Sequence, residues 1–368
     1  MPWIQHIETL VPERSYSQDY ACEVMKTWTQ SEKSKRYVTQ VYAGSKIDKR
    51  HSVVKDFGEG GSDSLSLYRS NESSEEPSTG ERNKIYTAES RSLIKEIALR
   101  TMKNCHGVSA GDITHLITVS CTGFYNPGPD LAVVEALGLS PAVQRFHLGF
   151  MGCYAAFPAL KMASQFCEAD PSANVLIICI ELCSLHLRLK DDLDTILANS
   201  VFADGAAAVL VNKRKPEPGH RALALRGFAC DLAPEGAQDM AWDIGDYGFN
   251  IVLSKYVAKI IGAEIGEIIS RILSGCGLAL SDIDTWAVHP GGRAILDKVE
   301  TSLKIRPDQI VASRKVLAEF GNMSSPTILF ILNEILNHPA TKNHDRLCAM
   351  AFGPGLTIET AILDAVIS

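Results

Sequence analysis

The chain has 368 residues, 46% of them hydrophobic and 21% charged, enough for one large core or two fused domains of about 180 residues each. Its 43 acidic and 36 basic residues leave a net charge of -7, and no basic patch interleaved with aromatics stands out; both argue against a general nucleic-acid role. No run approaches the roughly 18 apolar residues of a membrane span, and the opening "MPWIQHIETLVPERSYSQDY" lacks the basic-then-apolar order of a secretory signal.

In chain order, residues 17–32 predict a helix, and 84–103 ("KIYTAESRSLIKEIALRTMK") a longer one, from apolar residues at helical spacing. Between them, 58–83 is polar and turn-rich and predicts an exposed loop. Next, "GVSAGDITHLITVSCTG" begins at Gly107 and "GLALSDIDTWAVHPGG" at Gly277; aligned without gaps they pair Gly107 with Gly277, Asp112 with Asp282 and Ile113 with Ile283. Each reads as helix end, turn and buried strand, and the offset of 170 residues, nearly half the chain, points to an internal duplication. Further buried strands are predicted at 174–181, 205–211, 222–229 and 346–351, near helical segments at 154–168, 251–275, 291–303 and 325–337. Strands apolar on both faces alternating with helices predict a layered α/β protein. The charged, proline-bearing run "NKRKPEPGHRA" at 212–222 marks the boundary, giving halves 1–212 and 213–368. The ten cysteines lie mostly singly in apolar runs without metal-ligand spacing, as expected of thiols in a reducing cytoplasm.

Three segments end apolar runs with a polar side chain backed by glycine: "GFMGCYAAF" around Cys153, "WAVHPGG" around His289 and "EFGNMSSPT" around Asn322. Such element ends are where ligands meet open α/β sheets. Each residue also has a plain structural reading: Cys153 as core filling, His289 as a satisfied core histidine, Asn322 as a helix cap. Together the three types can do specific chemistry. A cysteine before a helix, near an imidazole, can ionise and attack a thioester. An imidazole and a carboxamide can both donate to the oxygen of an enolate formed when a malonyl thioester loses carbon dioxide. A papain-like protease uses the same types, but no "CGSCW"-like context is present.

The sequence resembles the type III polyketide synthases, the chalcone-synthase-like branch of the thiolase superfamily, over nearly its whole length. The likeness is carried by "SKIDKRHSV", "PSTGERNKIY", "SCTGFYNPGPD", "GFMGCYAAFPAL", "VFADGAAAVLV", "VHPGG", "FGNMSSPT" and "AFGPGLTIE". "HPGG" and "GNMSS" stand where an initiating ketoacyl synthase has "PHQAN"-like and "GNTSA"-like motifs, which disfavours that single-condensation alternative. The resemblance implies a five-layered αβαβα thiolase fold, a homodimer, no metal or tightly bound cofactor, and acyl-coenzyme A and malonyl-coenzyme A as substrates. It implies Cys153 as nucleophile, His289 and Asn322 as its catalytic partners, and Phe202 and Phe249 as gatekeepers. It also places Cys121, His186 and the Gly353-Pro354-Gly355 turn at the substrate site. Where plant members offer basic residues to the coenzyme phosphates, this chain has Tyr37, Gln40 and Gly44; Lys46, Lys49 and Arg50 are nearby candidates, with an acyl-carrier-protein donor as the alternative. Cys121 stands where plant members have threonine and resembles bacterial members whose tunnels take fatty acyl starters, implying alkylpyrone or alkylresorcinol products.

Overall fold

The computed structural model describes residues 1–57, 67–68, 76–254 and 256–367, so most of the loop expected at 58–83 lies outside the described residues. The chain begins with strand β1 (Trp3–Leu10), the short β2 (Ser15–Ser17), helices α1 (Gln18–Trp28) and α2 (Glu32–Gly44), the short β3 (Lys49–His51) and the long α3 (Thr79–Asn104). Then come β4 (His115–Ser120), α4 (Pro129–Leu137), β5 (Gln144–Gly149), α5 (Ala156–Ala169), β6 (Asn174–Leu182), α6 (Leu193–Val201) and β7 (Asp204–Asn212). The remainder runs β8 (Arg221–Leu232), β9 (Met240–Gly245), β10 (Gly248–Leu253), α7 (Val257–Gly275), β11 (Thr285–Val288), α8 (Arg293–Leu303), α9 (Val311–Phe320), α10 (Thr327–Asn337), β12 (Arg346–Gly353) and β13 (Thr357–Ile367).

Nine strands form one sheet in the order β11-β12-β13-β8-β1-β7-β6-β4-β5. In one wing β4 is parallel to β5 and β6, and the pairing turns antiparallel towards β7 and β1. The other wing repeats this, with β11 and β12 parallel and β13 and β8 antiparallel. The wings meet where Trp3 and Ile4 of β1 pair with Ala224 and Leu223 of β8. Local detail repeats as well. Gly107 and Gly277 both take left-handed φ, +69° and +70°, and Asp112 and Asp282 each accept at 2.8 Å from the backbone N–H three residues earlier.

Alternation along the strands builds the layers. In β6, Val175, Ile177 and Cys179 pack with α5 and α10, whereas Leu176, Ile178 and Ile180 face the cluster of α1 and α3. In β12, Leu347, Ala349 and Ala351 join that same middle cluster, whereas Cys348, Met350 and Phe352 face α7 and α8. Hence the order helix, sheet, helix, sheet, helix: the αβαβα arrangement. α10, "TILFILNEILN", is apolar on nearly all sides and occupies the middle layer, as a helix covered on both faces must. α7 buries Val257, Ile261, Ile265, Ile268 and Ile272 on one stripe and keeps its other face in solvent.

Some elements differ from expectation. The helix expected over 17–32 ends at Trp28, and Ser31 then caps a second helix, α2, whose mostly polar sequence hides it because only Val38 and Tyr42 are buried. α3 starts at Thr79 because Ser78 and Glu81 form a reciprocal capping box ahead of the apolar stripe. Residues 251–253, expected at the start of a helix, belong to the β9–β10 hairpin. All ten cysteines are free thiols. Among the described residues, no helix is long and apolar enough to cross a membrane, and no group of three or more His, Cys, Asp or Glu is placed to hold a metal ion.

Candidate active site

Cys153, His289 and Asn322 line one small cavity together with Phe202, Trp242, Ser324, Phe352 and Pro354. Cys153 sits in the turn that leads into α5. Gly152 before it has φ +90°, and a Cβ there would lie 2.8 Å from Pro354 Cδ, so only glycine lets the two loops close on each other. His289 follows β11 and is fixed by its backbone N–H donating to Met350 O at 2.9 Å. Asn322 follows Gly321, the φ +70° residue that ends α9. Its backbone N–H donates to Val201 O and its carbonyl accepts from Ala203 N–H, both at 2.8 Å, which ties it to the segment carrying Phe202.

The polar atoms have defined roles. Asn322 Oδ1 accepts from the Ser324 backbone N–H at 2.8 Å and lies 4.0 Å from Cys153 Sγ, which leaves the amide NH2 as the donor end. Both ring nitrogens of His289 are buried without a hydrogen-bond partner among the described residues. Burial alone pushes the His289 pKa down to about 3, so the ring is neutral at ordinary pH. Burial also pushes the Cys153 thiol up to about 11, opposed in part by its contacts with Ser324 and Asn322. Burial thus favours the protonated thiol in the resting site, and His289 stands on the same cavity wall with neither ring nitrogen engaged among the described residues.

The cavity is about 40 Å3, room for a few waters and not for a long acyl tail. It shares Leu253, Gly291 and Ile295 with a groove of about 270 Å3 between α2, α6, α7 and the start of α8. Tyr37, Gln40 and Gly44 line that groove.

The coenzyme-contact candidates need correction. Arg50 is 1% exposed: it donates to Gln18 Oε1 and to the carbonyls of Asn199 and Phe202 at 3.1, 2.7 and 2.8 Å, and its guanidinium lies over the rings of Tyr16 and Tyr42. It clamps the Phe202 segment and is unavailable to a ligand, because its donors are spent in the interior. Lys46 and Lys49 are exposed but line neither groove nor cavity. The cation on the groove wall among the described residues is Arg293, at the start of α8, 3.4 Å from Asp297.

Of the remaining candidates, Phe202 and Pro354 are on the cavity wall. Gly353 is covered by the Tyr154 ring, only 2.3 Å from where a Cβ would be, and Gly355 has φ +127°. Phe249 is buried behind the wall and stacks on His186, centroids 3.9 Å apart. His186 Nε2 donates to Thr122 O at 2.7 Å while Nδ1 accepts from Phe249 N–H at 3.3 Å, and burial pushes its pKa down to about 3. Cys121 is buried and is not on the wall of this cavity; its thiol donates to Glu181 Oε1 at 2.9 Å.

Sequence reasoning missed Glu181, which also accepts from Cys121 N–H, Thr122 Oγ1 and Ser325 Oγ at 3.0, 2.9 and 2.8 Å, with its pKa raised by burial. A lone carboxylate inside the apolar run "NVLIICIEL" was the available signal. Trp242 and Arg293 were missed too, and they carried no comparable signal.

Residues 3–215 match the family model for chalcone and stilbene synthases, N-terminal domain, and residues 225–367 the corresponding C-terminal domain. A Mycobacterium tuberculosis protein named alpha-pyrone synthesis polyketide synthase-like Pks18 is 35% identical over 262 residues, covering 70% of this chain and 66% of that protein; the Mycobacterium bovis counterpart matches equally. Among solved structures, PKS-I from the brown alga Ectocarpus siliculosus superposes with a TM-score of 0.91 at 28% identity, over 99% of this chain and 98% of that one. The 1,3,6,8-tetrahydroxynaphthalene synthase of Streptomyces coelicolor gives 0.88 at 26% identity, over 100% of both chains.

Proposed function

The chain belongs to the chalcone and stilbene synthase family, and on that footing we propose that it is a type III polyketide synthase extending an acyl starter with malonyl-coenzyme A. What carries the reading is the convergence of Cys153, a doubly unpartnered neutral His289 and the donor end of Asn322 on one cavity that opens into a groove. His289 accepts the thiol proton as Cys153 sulfur attacks the starter thioester, and the coenzyme leaves as its thiol. A malonyl thioester then loses carbon dioxide, and His289 and Asn322 donate to the oxygen of the resulting enolate. The enolate carbon attacks the acyl carbonyl, a carbon–carbon bond forms, and Cys153 thiolate is expelled. The half to residue 212 supplies the nucleophile and the half from 213 its partners. Phe202 gates the cavity, with Phe249 supporting from behind.

The same proposal includes a homodimer, supported by β5, which ends the sheet order with no further partner strand among the described residues, and by Phe124, an aromatic side chain left 41% exposed. No bound cofactor is needed for this chemistry. The groove fits a pantetheine arm from coenzyme A or from an acyl carrier protein. Substituting alanine for Arg293 tests the first source: KM for malonyl-coenzyme A rises about two- to fivefold with kcat little changed, the scale of one exposed charge contact. KM for malonyl-N-acetylcysteamine, which has no phosphates, stays put. Equal rises for both would remove Arg293 from phosphate recognition.

The proposed starter is a fatty acyl thioester and the product an alkylpyrone or alkylresorcinol; similarity to a protein named for alpha-pyrone synthesis supports the pyrone. The 40 Å3 cavity favours a second reading, a short starter. Profiling kcat/KM and products with C2, C6, C12 and C16 acyl-coenzyme A decides. A fatty tail entering an apolar tunnel gains about 0.8 kcal/mol per CH2, roughly fourfold per carbon until the tunnel is full. An optimum at C2 would establish the short starter, and a single β-ketoacyl product would point to one-step condensation.

A further inference from the structure

We propose that the indole N–H of Trp242 donates a hydrogen bond to the β-carbonyl of the extended acyl chain, so that the site binds an extended chain in preference to an unextended one. The inference rests on the polyketide synthase reading above and adds a specificity-determining residue to it.

Trp242 lies on β9 and lines the cavity with Cys153, His289 and Asn322. Its ring is held edge-on among Phe150, Phe202 and Phe249, with centroids at 6.2, 6.4 and 5.7 Å. None of these neighbours offers an oxygen or nitrogen acceptor. The polar ring nearby, His186 at 6.4 Å, has both nitrogens engaged, one with Thr122 O and one with Phe249 N–H. Trp242 Nε1 is accordingly buried with no partner among the described residues. A buried donor without an acceptor is unfavourable, and indole can only donate, so a bound chain that brings an acceptor to this ring gains by satisfying it.

The chemistry of the bound chain says which acceptor that is. The thioester oxygen is already matched to His289 and Asn322. A plain fatty starter has only methylenes beyond it. After one condensation the chain carries a second carbonyl two carbons further along, and this oxygen is the first that can reach a separate donor on the wall. Trp242 thereby distinguishes chains by whether they have been extended.

The test uses pantetheine amides, which cannot be transferred to Cys153. Dissociation constants of a β-ketoacyl and a plain acyl pantetheine amide of equal length are measured by calorimetry on the wild-type protein and on Trp242→Phe, which keeps an aromatic ring and removes the N–H. The wild type is expected to favour the β-ketoacyl amide about three- to tenfold, the range of one neutral hydrogen bond, and W242F to lose that preference. A wild type with no preference overturns the proposal without reference to any variant, and so does a W242F protein that retains it. Failure of the underlying reading would show elsewhere, as wild-type protein that forms neither an acyl adduct on Cys153 nor an extended product.

Discussion

Replacing Cys153 with alanine is expected to cut polyketide formation by at least about a thousandfold while leaving the protein folded, because the proposed mechanism makes its sulfur the acyl acceptor and no other thiol lines the cavity. The fold should survive. The thiol's polar contacts, to Ser324 and at 4.0 Å to Asn322 Oδ1, are weak, and the backbone around it is set by Gly152 and by α5, not by the side chain. Intact-protein mass spectrometry after incubation with acyl-coenzyme A reads the result directly: one acyl adduct on the wild type and none on C153A. Cys121 and Cys183 are buried with thiols held well above their usual range, first by burial and then by Glu181, and are poor substitutes. An adduct that persists in C153A, together with normal turnover, would move the nucleophile elsewhere.

His289→Ala and Asn322→Ala are each expected to slow malonyl decarboxylation about a hundredfold, the usual cost of losing one oxyanion donor, about 3 kcal/mol. The two should part company at the loading step. H289A loses the group that takes the thiol proton and loads slowly; N322A keeps it and loads nearly as fast as wild type. Equal loading defects would contradict this division. The pH profile gives a further check. A histidine whose folded pKa is lowered to about 3 remains neutral as pH falls through 6.5, so wild-type loading should show no acid limb at the ordinary histidine value. An acid limb near 6.5 would mean that substrate entry restores water to the ring.

Much of this was legible in the chain because it is carried locally. Cys153 and Asn322 each follow a glycine and His289 precedes Pro290-Gly291-Gly292, and the paired Gly107 and Gly277 turns show the repeat because left-handed φ favours glycine in both places. What was not legible depends on contacts between distant segments. Arg50 reads as one more surface cation in "DKRH", and only the approach of Asn199 and Phe202 turns it inward. Trp242 lies in a mixed polar stretch whose strand character comes from pairing with β10. Arg293 faces the groove because α2 and α7 lie across from the start of α8, a placement no spacing encodes.

The position of Asn322, hydrogen-bonded on both sides to Val201 and Ala203, has a consequence for how the protein comes into being on the ribosome. When synthesis has just passed residue 212, the emerging half already contains Cys153, but the histidine and the asparagine have not been translated. Strand β1 still lacks its β8 neighbour, and α5 has nothing from the later half over its second face. In that interval much of the wall that buries Cys153 is missing, and so are the two side chains proposed to work with it. On the proposed mechanism, competence arrives only with the last third of the chain, and a translation product arrested halfway carries Cys153 without its partners.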